Sequence, residues 1–469
     1  AERVMSGLAD GAWTFDDLPL DDLDALTETL LDMKRHALAR DCGAALANRA
    51  KEPGAIARAA RLEGLALVAL GELDEASERY RKALRAASDD LDRGATVHRR
   101  RAVGRALNRL AELDTLQGSL ANALQRHGEA LATFEPLAAD HPSLTARRDV
   151  MSTRSAIAAL QLRLGALDDA LAGYLAALTD AERLDAESST AETRNDVALV
   201  RVHLADVQAA MGRSREAEEA YRHALTAFEQ LADVLGTPES RRSVSVTLHR
   251  LAGMHGTAGD ADAALATYQD ALSIDEQLHD ETGATDSLRD AASAHERIGD
   301  LHHARGATDS ALAAYGEALE RLERVAERLD TPATQHDVTF TLQRIAAVHA
   351  DAGRTDEALH RYHDLLARRQ ALVDRSDDPM FVASLASSQY ELGDQLAASG
   401  RPREALEWME RASAAYDATL ARIDTPVHRR DAFVARYRLA RLHAENGDLA
   451  TSLATYTLAC EDAERLHDR

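Results

Sequence analysis

Glycine stands at positions 71, 118, 165, 212, 259, 306, 353, 400 and 447, each 47 residues after the one before (118 − 71 = 47), with no insertion or deletion in the series. A fixed period of this kind marks an array in which each unit buries its apolar face against its neighbours, so it outweighs the several separate globules that 469 residues would otherwise suggest. Five residues after each glycine come Ala76, Ala123, Ala170, Ala217, Ala264, Ala311, Ala358 and Ala405, with Ser452 closing the series. A small side chain repeated there predicts a close approach of two helices. Nine residues after each glycine come Tyr80, His127, Tyr174, Tyr221, Tyr268, Tyr315, Tyr362, Met409 and Tyr456, and twelve after comes Ala or, once, Leu365. Offsets of 5, 9 and 12 share one face of an α-helix. The segments before the glycines, such as 290–305 and 337–352, are amphipathic in the same way. Each period therefore predicts helix A, a left-handed turn at glycine, and helix B, whose early Asp and Glu suit its N-terminal dipole. Thr237-Pro238, Thr331-Pro332, Asp378-Pro379 and Thr425-Pro426 punctuate the array between one helix B and the next helix A.

Composition narrows the function classes. The net charge is −24, which disfavours a surface that tracks nucleic acid. Aromatic residues make up 4%, so Leu and Ala must pack the core. No apolar run approaches the roughly 18 residues of a membrane span, and the first residues lack the basic and apolar regions of a secretory signal. Cys42 and Cys460 lie at opposite ends, which excludes a disulfide framework and suits a reducing cytoplasm. Cys460 occupies a helix B slot held elsewhere by Leu84, Leu131 or Leu178, so it is expected to pack as a small apolar residue. Lysine occurs only at 34, 51 and 82, an arginine bias expected of a high-GC bacterium.

The run Gly-Glu-Leu-Asp-Glu-Ala-Ser-Glu-Arg-Tyr-Arg-Lys-Ala-Leu at 71–84 resembles the tetratricopeptide repeat (TPR) family, and Ile298-Gly299 and Leu392-Gly393 resemble its Leu-Gly pair in helix A. The family's usual repeat is about 34 residues. Leu137, Leu184, Leu231, Leu278, Val325 and Leu372, nineteen residues past their glycines, place the additional length in longer helices. Runs such as Arg147-Arg148-Asp149 and Arg429-Arg430-Asp431 are similar to long TPR arrays beside bacterial signalling enzymes. The resemblance implies an all-α fold: a right-handed superhelical solenoid of nine antiparallel helix hairpins over 53–469, with an N-terminal helical cap over 1–52. Within the cap, 20–33 has helical periodicity, and Trp13 and Phe15 are expected to plug the exposed end.

Chemistry-bearing motifs are sparse. There is no Gly-x-x-x-x-Gly-Lys, no Gly-x-Gly-x-x-Gly and no His-Glu-x-x-His, so no cofactor, metal or catalytic site is expected; the pairs His302-His303 and His360/His363 read as ordinary surface or packing histidines. More informative are the helix A positions nine before each glycine: Leu62, Arg109, Ala156, His203, Arg250, Arg297, Arg344, Glu391 and Arg438. In TPR proteins this face lines the concave groove. The resemblance therefore implies a positive ladder of Arg109, His203, Arg250, Arg297, Arg344 and Arg438, suited to a protein or peptide with acidic groups. Three residues further on stand Glu112, Asp206, Asp300 and Asp394, which offer the same arginines internal partners. Tyr390 and Tyr437 are candidates for an aromatic wall at the groove. The expected function is a non-enzymatic interaction scaffold in the cytoplasm, with no nucleic-acid or membrane partner. An alternative is the sensory or regulatory arm of a larger bacterial signalling or defence system, and an uncapped end repeat would allow homodimerisation.

Overall fold

In a computed structural model of the chain, residues 14–376 and 378–467 are described. Helix starts follow directly from local sequence. Thr96, Ser143, Thr190, Thr237, Thr331 and Thr425 each accept, through the side-chain oxygen, a hydrogen bond from the backbone N–H three residues on. That bond satisfies one of the donors a helix N-terminus leaves open. Pro238, Pro332, Pro379 and Pro426 stand at first helical positions, where the missing N–H costs nothing.

A 3₁₀ turn at Phe15–Asp17 precedes twenty α-helices among the described residues. They are α1 (Leu20–Asp32), α2 (His36–Arg49), α3 (Pro53–Leu70), α4 (Leu73–Asp92), α5 (Val97–Leu116), α6 (Leu120–Asp140), α7 (Leu144–Arg163), α8 (Leu167–Ser188), α9 (Ala191–Ala210) and α10 (Ser214–Leu235). Then come α11 (Pro238–Thr257), α12 (Ala261–Thr282), α13 (Thr285–Ala304), α14 (Thr308–Leu329), α15 (Pro332–Asp351), α16 (Thr355–Arg375), α17 (Pro379–Ala398), α18 (Pro402–Leu420), α19 (Pro426–Glu445) and α20 (Leu449–His467). From α3 on, odd helices are helix A and even helices helix B. Helix A begins about five residues earlier than the periodicity at 290–305 and 337–352 suggests; in α15 the Thr331 cap and Pro332 set the start, whereas α13 starts after Ala284 with no side-chain cap.

Each period glycine lies in the left-handed region, with φ between +70° and +87°. Beside each, the N–H of the following residue bonds the carbonyl five residues back, as in Glu72 to Leu67 and Asp448 to His443, both 2.9 Å. This closes helix A and reverses the chain into helix B. The eight alanines from Ala76 to Ala405 that follow the glycines by five are fully buried, and Leu137, Leu184, Leu231, Leu278, Val325 and Leu372 are buried too. Each of these larger side chains contributes roughly 1.5–3 kcal/mol.

The chain divides into two compact units, one up to Val234 and one from Leu235. In the first, α1 to α9 each pack on the next helix in sequence; in the second, α11 to α20 do the same. At the front of the first unit, Leu23, Leu26, Leu30, Cys42 and Leu46 of α1 and α2 form a small core with Phe15 packed against it. Trp13 lies outside the described residues. Cys460 is exposed rather than packed: it sits on the outer face of α20, where Leu449, Leu453 and Leu458 are also exposed.

Arginine joins successive hairpins at fixed steps. Arg101 reaches Asp149 (Nη2 to Oδ1, 3.0 Å), Arg148 Asp196 (2.8 Å), Arg242 Asp290 (3.0 Å) and Arg289 Asp337 (2.8 Å), each 48 residues on. A second set spans 45 residues: Arg321 to Glu276 (2.5 Å), Arg354 to Asp309 (2.7 Å) and Arg368 to Glu323 (3.0 Å). Within one hairpin, Arg147 of α7 grips Glu187 of α8 with both terminal guanidinium nitrogens, at 2.6 and 2.5 Å. Such exposed pairs are worth at most about 1 kcal/mol each, but the planar fork fixes helix register in a way a lysine cannot.

His127 shows what the fixed frame does to a titratable group. It fills the slot that holds tyrosine in most hairpins, is buried, and lies 2.8 Å from Asn108 Oδ1 through Nδ1. Burial pushes its pKa down to about 4. The neutral form is therefore favoured on folding, so stability is full above the ordinary pKa near 6.5 and is lost as pH falls from there towards 4, by on the order of 3 kcal/mol. Replacing His127 with Tyr is expected to flatten the dependence of melting temperature on pH across that window; an unchanged slope counts against this assignment.

Candidate groove on the helix A face

The ladder residues occupy the helix A face, and their charges are largely met by the chain itself. In the first unit, Arg109 pairs with Glu112 one turn along α5 (2.5 Å). His203 stacks on the Tyr174 ring, with centroids 5.6 Å apart, and lies 3.6 Å from Asp206. Asp206 accepts the Tyr221 hydroxyl at 2.5 Å. In the second unit Asp300 is a hub: it accepts from Tyr315 (2.6 Å), from Arg297 (3.3 Å) and from Arg344 of the next helix A. Arg344 is half-buried, whereas the Arg297 side chain is 54% exposed and makes only the long bond to Asp300. Arg438 pairs with Asp394 at 2.7 Å.

The two tyrosines differ. Tyr390 is half-buried against the cores around Leu392 and Tyr416. Tyr437 is 50% exposed and packs edge-on against Tyr456, with centroids 5.5 Å apart. Glu391, the acidic member of the ladder series, is turned inward. It accepts from Gln343 and from Ser387 (3.3 Å), and burial raises its pKa.

One open cleft of about 740 Å³ lies on this face of the second unit. Helices α11 and α13 form its sides, with Val246, His249, Arg250 and Gly253 from the first and Asp290, Ser293, Arg297 and Asp300 from the second. Tyr268 of α12 contributes its floor. Behind the cleft, fully buried Asp275 accepts from the Ser245 hydroxyl and from His249 Nε2 at 2.8 Å, which fixes the imidazole at the cleft wall. The wall thus combines guanidinium and phenol donors with apolar helix surface, an arrangement for holding acceptor groups.

His249, Gly253, Ser245 and Asp275 are not among the residues singled out from the sequence, and Tyr268 is expected there only as a packing residue. A signal was present for two of them. Asp275 stands sixteen residues past its glycine, where Phe134, Ala181, Phe228 and Leu322 stand elsewhere, and Gly253 occupies a position that is Asp in alternate repeats. Among the described residues no three His, Cys, Asp or Glu converge as a metal would require, and no helix is long and apolar enough to cross a membrane.

Residues 198–230, from within α9 to within α10, match the tetratricopeptide repeat family model. Comparison with curated protein sequences gives no match. Among solved structures, the apo form of RapI is similar over 88% of this chain and 99% of its own, with 14% identity and a TM-score of 0.53. The apo form of the quorum sensor NprR from B. thuringiensis covers 86% of this chain and 97% of its own, at 14% identity and a TM-score of 0.47. BtubC from P. vanneervenii covers 56% of this chain and 95% of its own, at 24% identity and a TM-score of 0.44. The RapI likeness is one of fold.

Proposed function

We propose that this chain of tetratricopeptide-type helical hairpins is a non-enzymatic interaction scaffold, working in a bacterial cytoplasm, that holds a protein or peptide partner on its helix A face. The observation that carries the reading is the cleft between α11 and α13, where exposed Arg297 stands beside apolar helix surface. The tetratricopeptide match and the RapI-like fold support it. Helix-lined grooves take extended or helical peptides by combining a few charge-assisted hydrogen bonds with burial of apolar side chains.

The test is affinity capture from the native host followed by mass spectrometry, with wild type and Arg297→Ala compared. Arg297 is the most weakly tied of the ladder arginines whose bonds are described above, so its removal is expected to leave helix content and melting unchanged and to weaken capture at least tenfold, about 1.4 kcal/mol. Arg344 is the contrasting position, because its loss uncovers Asp300 and lowers the melting temperature as well. Equal capture by wild type and Arg297→Ala would place the partner elsewhere.

A further inference from the structure

The cleft contains a donor set whose acceptor the repeat pattern supplies elsewhere. At the helix A position six residues before the period glycine, Asp206 accepts from Tyr221, fifteen residues on, and Asp300 accepts from Tyr315 in the same way. Asp300 also accepts from Arg344 and Asp394 from Arg438, in each case the helix A arginine 44 residues on. In the hairpin of α11 and α12 that position is Gly253. Tyr268 follows it by fifteen residues and Arg297 by 44, so both donors of the pattern are present.

The geometry agrees with the register. A Cβ built on Gly253 would meet the Tyr268 hydroxyl at 3.4 Å and nothing else within 4 Å. Tyr268 is 5% exposed and lines the cleft, yet its hydroxyl has no hydrogen-bond partner among the described residues. The hydroxyl opens on the cleft, where a ligand acceptor can reach it. Tyr80 and Tyr362 in the same slot also make no hydroxyl hydrogen bond among the described residues, and what sets Tyr268 apart is a glycine at the acceptor position with Arg297 beside it. Other hairpins without an acid at this position differ. The first fills it with Leu65 and the ninth with Arg441; Ala159 and Ala347 are followed, 44 residues on, by His203 and Glu391 instead of arginine. The cleft's own carboxylates are already engaged, Asp290 by Arg242 at 3.0 Å and Asp300 by Tyr315, Arg297 and Arg344.

We infer that the space over Gly253 is a specific subsite for a ligand carboxylate, which accepts from the Tyr268 hydroxyl and the Arg297 guanidinium as Asp300 accepts from Tyr315 and Arg344. The inference deepens the scaffold reading and rests on it for the first of two sources: an acidic side chain of a bound protein or peptide, or a free small carboxylate. Gly253 is what makes room, since any side chain there would occupy the place of the ligand group.

The test uses the full chain and begins with Gly253→Asp against Gly253→Asn. The aspartate is expected to satisfy the donors internally and melt about 2 °C or more above the asparagine variant, a gain that disappears when Tyr268→Phe is added. Equal melting of the two variants would overturn the inference. Binding is read with capped Ala-Glu-Ala, capped Ala-Gln-Ala and succinate. Wild type is expected to bind the Glu tripeptide at least tenfold more tightly than the Gln one, and Gly253→Asp to lose that preference. No preference in wild type would overturn the inference. Succinate binding as tightly as the Glu tripeptide assigns the subsite to free small carboxylates; weaker succinate binding assigns it to acidic side chains. A host partner captured equally by wild type and Gly253→Asp would overturn the subsite and leave the scaffold reading in place. Should wild type capture nothing, the scaffold reading fails, and the Asp-against-Asn comparison still decides the subsite.

Discussion

Replacing Arg369 with Ala is expected to destabilise the second unit around α15 to α17 by about 3–5 kcal/mol, the cost of removing one member of a buried charged network. Its side chain is 1% exposed. The guanidinium donates to Thr339 Oγ1 (3.3 Å), Gln343 Oε1 (2.7 Å), Ser388 Oγ (2.5 Å) and the Ser384 carbonyl (2.6 Å), and it lies 5.7 Å from the centre of the Phe340 ring. Gln343 passes the contact on by donating to Glu391, so cation and carboxylate are joined through an amide instead of touching. Burial pushes the guanidinium pKa down to about 10, which leaves it charged at neutral pH. Alanine removes the charge, opens a cavity and strands four acceptors at once. Hydrogen exchange is the suitable measurement, because stacked hairpins open locally. Amides in 338–348 and 379–396 should exchange roughly 10² to 10³ times faster, with those in 97–163 unchanged; a change of less than tenfold would show that the network contributes little.

The second large effect is steric. A Cβ on Gly299 would stand 2.6 Å from Cε1 and 2.8 Å from Cδ1 of Tyr315. That ring cannot swing aside, since it is buried and its hydroxyl is tied to Asp300. Gly299→Ala is therefore expected to cost about 1–3 kcal/mol, even after the gain of about 1 kcal/mol that alanine brings to a helix interior. Gly393, the glycine of the second Leu-Gly pair, meets Met409 Cγ at 3.0 Å and Cε at 3.2 Å, atoms of a side chain that can adjust, and the Ala405 carbonyl oxygen at 3.3 Å, which needs a shift of only a few tenths of an ångström. Gly393→Ala should be neutral or mildly stabilising. Thermal melting of the two variants separates them, and a reversed order would remove the packing explanation. Because Tyr315 holds Asp300, and Asp300 holds Arg297 and Arg344, the costly variant should also loosen the groove wall.

These two positions also show what sequence alone makes legible. The turn glycines could be placed because left-handed geometry is a local demand, met within one residue, and the buried alanines and tyrosines because helical periodicity is a demand over one or two turns. The more distant partners of the ladder arginines could not be placed. Those of Arg344 and Arg438 lie 44 residues away, and only the stagger of stacked helices brings Arg344 to Asp300 rather than to a guest, whereas the Arg109–Glu112 and Arg297–Asp300 pairs, three residues apart, are legible in the sequence. Exposure of Cys460 is equally non-local: it occupies a packing slot by sequence and an outer face in space. Arg369 and Asp275 were overlooked for a different reason. They are polar residues in a slot that is apolar in most repeats, and a reading built on shared features passes over single departures from them.

The acids that take the tyrosine and arginine bonds, Asp206, Asp300 and Asp394, are 94 residues apart, as are the Arg147–Glu187 and Arg241–Glu281 grips. The structural repeat is one hairpin, and bridges such as Arg101–Asp149 and Arg148–Asp196 follow it, but these bonds recur every second one. At this groove position the register therefore spans a hairpin pair: loss of the single hairpin that carries Arg344 would bring Glu391 against Asp300, acid against acid.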